Sequence, residues 1–223
     1  MRTRLLVARH GNTFAPGDIV RRVGTTDLPL VDSGLHQGRL LGIYLKQQHL
    51  IPDVIFTSKL KRAIQTAEQA QNTMGSDLPI ETLSIFNEID YGPDENQPEE
   101  CVISRIGKDA INAWETQAIV PSGWNVDPTT LIKNWLDFSV YLRTKYTGKT
   151  CLVVTSNGIA RFLPYLTGNF AAFSGQYGIK IATGALCIFE NKEHSELWDC
   201  IAWNVKPQTA IDDFNTITSD SSF

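Results

Sequence analysis

The 223-residue chain lacks the features of several specialised protein classes. It has no apolar run near the roughly 20 residues of a membrane span, and Leu5-Leu6-Val7-Ala8 is too short for the core of a signal peptide. It also lacks a basic excess, because 20 Lys and Arg against 24 Asp and Glu give a net charge of −4. Nucleic-acid binders usually need a basic surface to neutralise phosphates. We therefore expect a cytoplasmic protein that binds neither nucleic acid nor membranes.

Cysteine is scarce, and its spacing matches no known framework. The four cysteines, none of them in a CxxC pair or next to a histidine, are Cys101, Cys151, Cys187 and Cys200. This spacing indicates neither a zinc site nor a set of disulfides. We expect four reduced thiols, most of them buried. The acidic residues Asp94-Glu95 and Glu99-Glu100 have poor metal-ligand spacing and are predicted to be either a solvated loop or the start of a helix.

Short apolar runs alternate with helical patterns along the chain. The predicted strands are residues 4–8, 53–57, 79–83 and 150–155, followed by an antiparallel edge hairpin of 185–190 and 198–203. Such alternation predicts an α/β fold, a three-layer αβα sandwich with a mostly parallel sheet. Ligands of such folds bind at the carboxyl ends of the strands.

Helical spacing fills the segments between these strands. The predicted helices run from Asp32 to before Pro52, from 59 to 74 with Ser58 as the N-cap, over 102–118, over 128–146, and from Asn157 to Leu166.

We interpret residues 93–149 as a helical insertion over the active-site end of a single domain, 1–205. The polar tail 206–223 is predicted to be loose. Trp114, Trp124 and Trp135 of the insertion either shape a substrate pocket or pack the core, and packing is the commoner role.

Polar side chains follow three of the predicted strands and would meet at one rim of the sheet. Arg9 and His10 follow the first strand, Arg62 lies one turn into the helix after the second, and Ser156 and Asn157 follow the fourth. A neutral histidine is a nucleophile near pH 7, and neighbouring arginines favour the neutral form by repelling its proton. Two guanidinium groups would bind phosphoryl oxygens. The cluster is typical of phosphoryl transfer through a phosphohistidine.

Breaking a phosphate ester also requires a proton for the leaving oxygen. Glu88 is the candidate general acid, in a loop whose second carboxylate, Asp90, is the alternative. Neither step needs a metal ion or an organic cofactor. His36, His49 and His194 have no comparable partners and are expected at the surface.

The segment Leu5-Leu6-Val7-Ala8-Arg9-His10-Gly11-Asn12-Thr13 resembles the signature of the histidine phosphatase superfamily, the phosphoglycerate-mutase-like proteins. That signature is an aliphatic strand ending in Arg-His-Gly-x-Thr. Residues 26–30, 58–67 and 87–92 are similar to further family segments, in the family's order and spacing. The resemblance covers roughly residues 4–190, and the ordered set is far more specific than one tripeptide.

The resemblance implies a phosphatase that hydrolyses small phosphomonoesters through a phosphohistidine on His10. It implies that Arg9 and Arg62 bind phosphate and that Glu88 donates the proton. Arg21 and Arg22 either contact the substrate or form an exposed, solvated pair. The candidate substrate-binding residues are Asn12, Thr13, Arg22, Ser156 and Asn157.

One position departs from the family pattern. Where the family reads Val-Ser/Thr-His-Gly-Gly, this chain has residues Val154-Thr155-Ser156-Asn157-Gly158, so Ser156 replaces the second histidine of the pocket. Its hydroxyl or the Asn157 amide would donate a weaker bond, and loss of one transition-state donor slows such reactions roughly 10²- to 10³-fold. Arg161, one turn further on, would reach back to compensate, although its family analogue is not usually catalytic.

Two alternatives to a working phosphatase stay open, although the departure weakens a pocket that a mutase would need for repeated phosphoryl transfers. One is an impaired pseudoenzyme that binds a phosphorylated ligand or protein partner through Arg9 and Arg62. The other is a phosphotransferase of the phosphoglycerate-mutase type. Sugar phosphates, nucleotides and phosphoproteins would all present the same dianion to the two arginines. The sequence leaves the oligomeric state open.

Overall fold

A six-stranded sheet forms the centre of the domain in the computed structural model, which describes residues 2–212. In spatial order its strands are β4 (Ile80–Thr82), β3 (Val54–Thr57), β6 (Thr150–Thr155), β1 (Arg2–Arg9), β7 (Leu186–Lys192) and β8 (Asp199–Val205). The first four are parallel, and β7 is antiparallel to both β1 and β8. The mostly parallel sheet and the edge hairpin are thus confirmed. A small antiparallel pair consists of β2 (Arg21–Arg22) and β5 (Gln97–Pro98).

Helices cover both faces of this sheet and make the predicted three layers. They are α1 (Asp32–Gln47), α2 (Lys61–Met74), α3 (Glu99–Ile106), α4 (Lys108–Gln117), α5 (Pro128–Lys145), α6 (Asn157–Ala160) and α7 (Phe170–Tyr177). Short 3₁₀ turns are Ser84–Phe86, Gly92–Asp94 and Leu163–Thr167. In β1, Leu6 and Ala8 pack with the α1 and α2 side, whereas Leu5 and Val7 pack with the α5 side. Because both faces of β1 are buried, its sequence is a continuous apolar run.

The start of α2 differs from the prediction. The helix begins at Lys61 instead of residue 59, and Ser58 is not its N-cap. The backbone N–H of Lys61 donates to Asp27 Oδ1 at 2.7 Å, and that of Lys59 donates to Asn87 Oδ1 at 2.8 Å. The helix end is therefore satisfied by side chains from distant loops, and these partners have no local sequence signal.

The predicted helix 102–118 is two helices, because the chain turns at Gly107, whose φ is +83°. A glycine adopts this left-handed conformation without the steric cost of a Cβ. The helix predicted from 157 to 166 likewise ends early, at Ala160, and continues as the 3₁₀ turn Leu163–Thr167.

The 93–149 segment has two structural roles. α3 and α4 supply side chains to the cleft described below, whereas α5 covers one face of the sheet. There the Phe138 ring meets Phe56 of β3 edge-to-face, with centroids 5.3 Å apart. All three tryptophans of the segment are buried in the same core cluster, as the packing alternative predicts.

Several smaller expectations have mixed outcomes. Cys151 and Cys187 are buried and Cys200 is half-buried, but Cys101 is exposed. Residues 207–212 are helical and bury Ile211, although the tail was predicted to be loose from 206. The rest of that tail, 213–223, lies outside the described residues. No helix within 2–212 is long and apolar enough to cross a membrane. The same range contains no cluster of three or more His, Cys, Asp or Glu that could hold a metal ion.

Glycines bring α1 and α2 into close contact. A Cβ added to Gly42 would lie 2.5 Å from the Ala70 carbonyl oxygen of α2. One turn earlier, a Cβ on Gly38 would lie 2.7 Å from Gln69 Cβ. Both distances are far below van der Waals contact, so the helices are nearer than larger residues would permit.

We predict that Gly42→Ala destabilises the protein although alanine is the better helix former by about 1 kcal/mol. The added methyl group overlaps a backbone oxygen, and overpacking of this kind costs about 1–3 kcal/mol. Urea denaturation measures the free energy of unfolding. Gly175→Ala in α7 is the matched control, because its Cβ meets nothing within 4 Å, and we expect unchanged or slightly higher stability there. A Gly42→Ala protein as stable as the control would contradict the close contact.

Candidate active site

A cleft of about 680 Å³ opens where β1, β3 and β6 end. The strand ends are held together by backbone bonds, since His10 N donates to Thr155 O at 2.9 Å and Ser58 N donates to Val154 O at 3.1 Å. Eight of the nine predicted site residues line this cleft: Arg9, His10, Asn12, Thr13, Arg22, Arg62, Glu88 and Asn157. The exception is Ser156.

His10 is a buried imidazole with one nitrogen already in use. Its Nδ1 lies 2.8 Å from the Gly11 carbonyl oxygen, so that Nδ1 carries the hydrogen and Nε2 keeps its lone pair. Burial, and then the charges of Arg62 and Arg9, hold the pKa of His10 well below its usual range. The ring is therefore neutral at physiological pH, and its Nε2 is unprotonated.

Arg62 is fixed by the loop that follows β2. Its Nη1 donates to Thr26 O at 2.8 Å and its Nη2 donates to Gly24 O at 2.6 Å. The loop is in turn held by Glu95, whose Oε1 accepts bonds at 3.0 Å from the backbone N–H groups of both loop residues. Glu95 thus positions Arg62 without touching it.

Arg9 is held in the same manner by a different loop. Its Nη1 donates to the Ile181 carbonyl oxygen at 2.6 Å, and its Nε is buried without a partner among the described residues. The Ile181 N–H donates to Asn157 Oδ1 at 2.9 Å, which fixes that loop against the end of β6. Burial lowers the pKa of the Arg9 guanidinium, while the Glu88 charge raises it.

Glu88 is oriented by backbone amides. Its Oε1 accepts a bond from Ile89 N at 2.9 Å, and its Oε2 accepts one from Gly158 N at 3.0 Å. A Cβ on Gly158 would lie 2.2 Å from Glu88 Oε1, so a glycine is needed at this position. Asp90, the alternative acid, does not line the cleft, because its carboxylate accepts bonds from Gly92 N and from Asn125 Nδ2.

The two residues after β6 differ in their access to the cleft. Ser156 is completely buried, and its hydroxyl has no hydrogen-bond partner within residues 2–212. Asn157 lies on the cleft wall. Its Oδ1 accepts a bond from Ile181 N, and its Nδ2 group has no protein acceptor in that range. Ser156, at the position of the missing histidine, is therefore shut off from the cleft, whereas the amide of the next residue, Asn157, borders it.

Asn12 and Thr13 form the side of the cleft next to β1. The Asn12 side chain is already engaged, because its Oδ1 accepts from Thr183 Oγ1 at 2.5 Å and its Nδ2 donates to Ser33 Oγ at 3.2 Å. This leaves one amide hydrogen for a ligand.

Arg22 lies on the opposite wall, paired with Glu99 and placed against aromatic rings. Its guanidinium carbon is 5.4 Å from the Tyr91 centroid and 5.3 Å from the Trp124 centroid. The neighbouring Arg21 is exposed and donates to the Asn96 carbonyl oxygen at 3.0 Å.

The cleft also contains residues that the sequence reasoning did not place there. They are Phe14, Val20, Tyr91, Glu99, Glu115, Lys180 and Thr183, among others. Tyr91 lies in the same acidic loop as Glu88, so the sequence pattern that predicts Glu88 at the site also indicates that Tyr91 is near it. Lys180 and Thr183 lie between α7 and β7 in a segment without a recognisable motif.

Comparisons with known proteins now give the family. The profile of the histidine phosphatase superfamily (branch 1) matches residues 5–206. The chain belongs to this superfamily. Similar curated proteins include the 2,3-bisphosphoglycerate-dependent phosphoglycerate mutase of Mycobacterium leprae, 30% identical over 172 residues, which are 73% of this chain and 64% of that protein. The corresponding enzyme of Buchnera aphidicola is 30% identical over 112 residues, 50% of this chain and 48% of that protein. The chain spans about half to two thirds of the length of these relatives.

Solved structures of the superfamily share the fold at low sequence identity. A mycobacterial glucosyl-3-phosphoglycerate phosphatase has a TM-score of 0.74 and 18% identity, with 92% of this chain and all of that chain covered. A phosphoserine phosphatase from Entamoeba histolytica, in complex with phosphoserine, has a TM-score of 0.71 and 19% identity over 92% of this chain and 98% of that chain. These likenesses establish the histidine phosphatase fold for this chain.

We predict that the depressed pKa of His10 makes this superfamily member less stable in mild acid. In the unfolded chain the imidazole has its ordinary pKa near 6.5. Below that pH the unfolded state binds a proton that the folded state excludes, so the free energy of unfolding falls as the pH drops. Between pH 7 and pH 5.5 this group should remove about 1 kcal/mol.

Urea denaturation of the natural protein and of His10→Gln at both pH values measures this contribution. The variant should lose about 1 kcal/mol less than the natural protein over this interval. His36→Gln, at an exposed histidine, is the control and should behave like the natural protein. The same pH dependence in all three would show that the buried ring does not exclude a proton.

Proposed function

We propose that the protein is a phosphatase that hydrolyses small phosphomonoesters through a phosphohistidine on His10. The observation that carries this proposal is a neutral, buried imidazole beside two arginines whose charges no carboxylate pairs within the described residues. This combination supplies a nucleophile and a binding site for a dianion at the same point.

The reaction has two balanced steps. His10 Nε2 attacks phosphorus, the bond from phosphorus to the ester oxygen breaks, and Glu88 gives its proton to the leaving alkoxide. Water then attacks the phosphohistidine while Glu88 takes one of its protons. Orthophosphate leaves, and the neutral His10 and the protonated Glu88 are restored. The backbone bonds to Glu88 keep its carboxyl group in one orientation through both steps.

Arg9 and Arg62 bind the phosphoryl oxygens throughout. Each guanidinium has five N–H groups and uses one or two of them on backbone carbonyls, so others remain for the ligand. Their two positive charges match the two negative charges of a phosphomonoester. The phosphatases among the solved structures with this fold support hydrolysis as the outcome.

Hydrolysis of a panel of phosphomonoesters tests this function. We expect the natural protein to release orthophosphate and His10→Ala to be slower by about 10⁴-fold or more, because removal of a nucleophile eliminates the covalent route. The alanine variant should still bind orthophosphate in calorimetry, since both arginines are intact. Arg62→Ala should lose that binding.

Other outcomes identify the alternatives. Phosphate binding without release from any ester would indicate a pseudoenzyme, and transfer of the phosphoryl group to a second organic hydroxyl would indicate a mutase-type phosphotransferase. Release that survives His10→Ala would contradict the phosphohistidine route.

We further propose that Asn157 supplies the donor that the missing histidine would have given. Its free Nδ2 group and its place on the cleft wall support this role, whereas the buried Ser156 hydroxyl does not reach the wall. The Ser156 contact expected from the sequence would then be absent.

Asn157→Asp and Ser156→Ala form a matched pair for this second proposal. The aspartate keeps an oxygen for Ile181 N but replaces the donor with a negative charge that repels the phosphoryl group, and for both reasons we expect kcat/KM to fall at least about 10²-fold. Ser156→Ala removes a hydroxyl that bonds to no described residue, so kcat/KM should change less than about threefold. A large loss in Ser156→Ala with a small one in Asn157→Asp would assign the donor to the serine.

A further inference from the structure

Arg161 is a third buried arginine on the cleft wall. It is 2% exposed, and its guanidinium carbon lies 3.9 Å from the centroid of the Trp114 ring. Its Nη1 donates to the Trp114 carbonyl oxygen and its Nε donates to Asn157 O at 3.4 Å. Its Nη2 group bonds to no atom of residues 2–212, and the side chain borders the cleft. One end of the guanidinium is thus free to bind a ligand.

Apart from Arg9 and Arg62 of the proposed phosphate site, the other cations of the cleft wall already have partners of opposite charge or lie at the surface. Arg22 pairs with Glu99, and Lys180 Nζ lies 3.0 Å from Glu115 Oε1. Arg161 has no carboxylate within ion-pair distance in the part of the chain that the structure describes. Burial lowers the pKa of Arg161 to about 10, so the side chain remains charged at neutral pH.

A buried charge without a counter-ion is costly. Arg9 and Arg62 share this property with Arg161, and all three are held by backbone carbonyls. For the first two, the proposed function explains the missing counter-ion, because the phosphoryl group of the substrate provides it. The same reasoning requires a second anion for Arg161.

We propose that Arg161 binds a carboxylate of the substrate, and that the substrates are therefore small phosphomonoesters that carry a carboxylate. The inference rests on the proposed function, which assigns the phosphoryl group to Arg9 and Arg62. One unpaired positive charge matches one carboxylate, whereas a second phosphate dianion would require two. The planar fork of Nη1 and Nη2 fits the two carboxylate oxygens.

The competing explanation is purely structural. Arg161 would then only join α6 to α4 through Trp114, and its loss would lower stability without altering the choice of ligand. Selectivity between two ligands that differ at one group separates the two explanations, because a general loss of folding affects both ligands equally.

The probes are 3-phosphoglycerate and glycerol 3-phosphate. They differ at one group, which is a carboxylate in the first compound and a hydroxymethyl group in the second. Calorimetry on His10→Ala gives both dissociation constants without turnover, and kcat/KM on the natural protein gives the kinetic ratio. We expect 3-phosphoglycerate to be preferred by about 10- to 100-fold, as for a hydrogen bond between charged groups. Arg161→Met should reduce the preference below about threefold, and Arg161→Lys should restore it only in part.

Arg21→Met is the matched control, because it removes the same charge from an exposed arginine at the same cleft. It should retain most of the preference, which separates a specific contact from general attraction of anions. Thermal denaturation verifies that each variant is folded.

The outcomes distinguish this inference from the proposed function. Hydrolysis of both probes with no preference, or with a preference that Arg161→Met retains, overturns the carboxylate contact and leaves the phosphatase intact. A binding preference lost in Arg161→Met, without hydrolysis by the natural protein, supports the contact and overturns the phosphatase. Failure of both probes to bind overturns both.

Discussion

Backbone carbonyl oxygens hold three of the arginines that line the cleft, Arg9, Arg62 and Arg161. A carbonyl carries only a partial negative charge, so it orients a guanidinium without cancelling its positive charge. Arg9 and Arg62 bind to carbonyls of two different loops, whereas Arg105, away from the cleft, is paired with the Asp94 carboxylate. A cation held by carbonyls keeps its charge available for an anionic ligand, whereas a cation paired with a carboxylate only connects parts of the fold.

This arrangement requires the carbonyl-bearing loops to be rigid. Loop backbone has no sheet or helix to fix it, so side chains from elsewhere must do so. Glu95 binds the amides of residues 24 and 26, and Asn157 binds that of Ile181. Each of these side chains lies one contact away from an arginine. The geometry of the proposed phosphate site therefore depends on a carboxylate and an amide that need not touch a bound phosphate.

Local patterns in the sequence indicated the sheet and the rim, and eight of the nine predicted site residues do line the cleft, because strand ends and the loops after them are set by neighbouring residues. The patterns gave a wrong prediction where a segment distant in the sequence determines the local structure. Asp27 and Asn87, not Ser58, satisfy the start of α2. Likewise, only the folded chain separates Asn157 from Ser156, since both follow β6 and only one borders the cleft. Adjacent residues of one motif have the same sequence signal even where one side chain borders the cleft and the other is buried.

The charges of the proposed phosphate site also affect the protonation state of His10. Arg62 and Arg9 repel a proton from His10, in addition to the effect of burial, and so keep its lone pair free. A phosphoryl dianion between the arginines would reduce that repulsion and raise the affinity of the imidazole for an electrophile as well as for a proton. The cleft concentrates positive charge, and the Arg9 Nε group has no hydrogen-bond partner among the described residues. An anion bound here would offset this charge next to His10, so in the proposed mechanism the affinity for the phosphoryl group and the reactivity of the imidazole have one common cause.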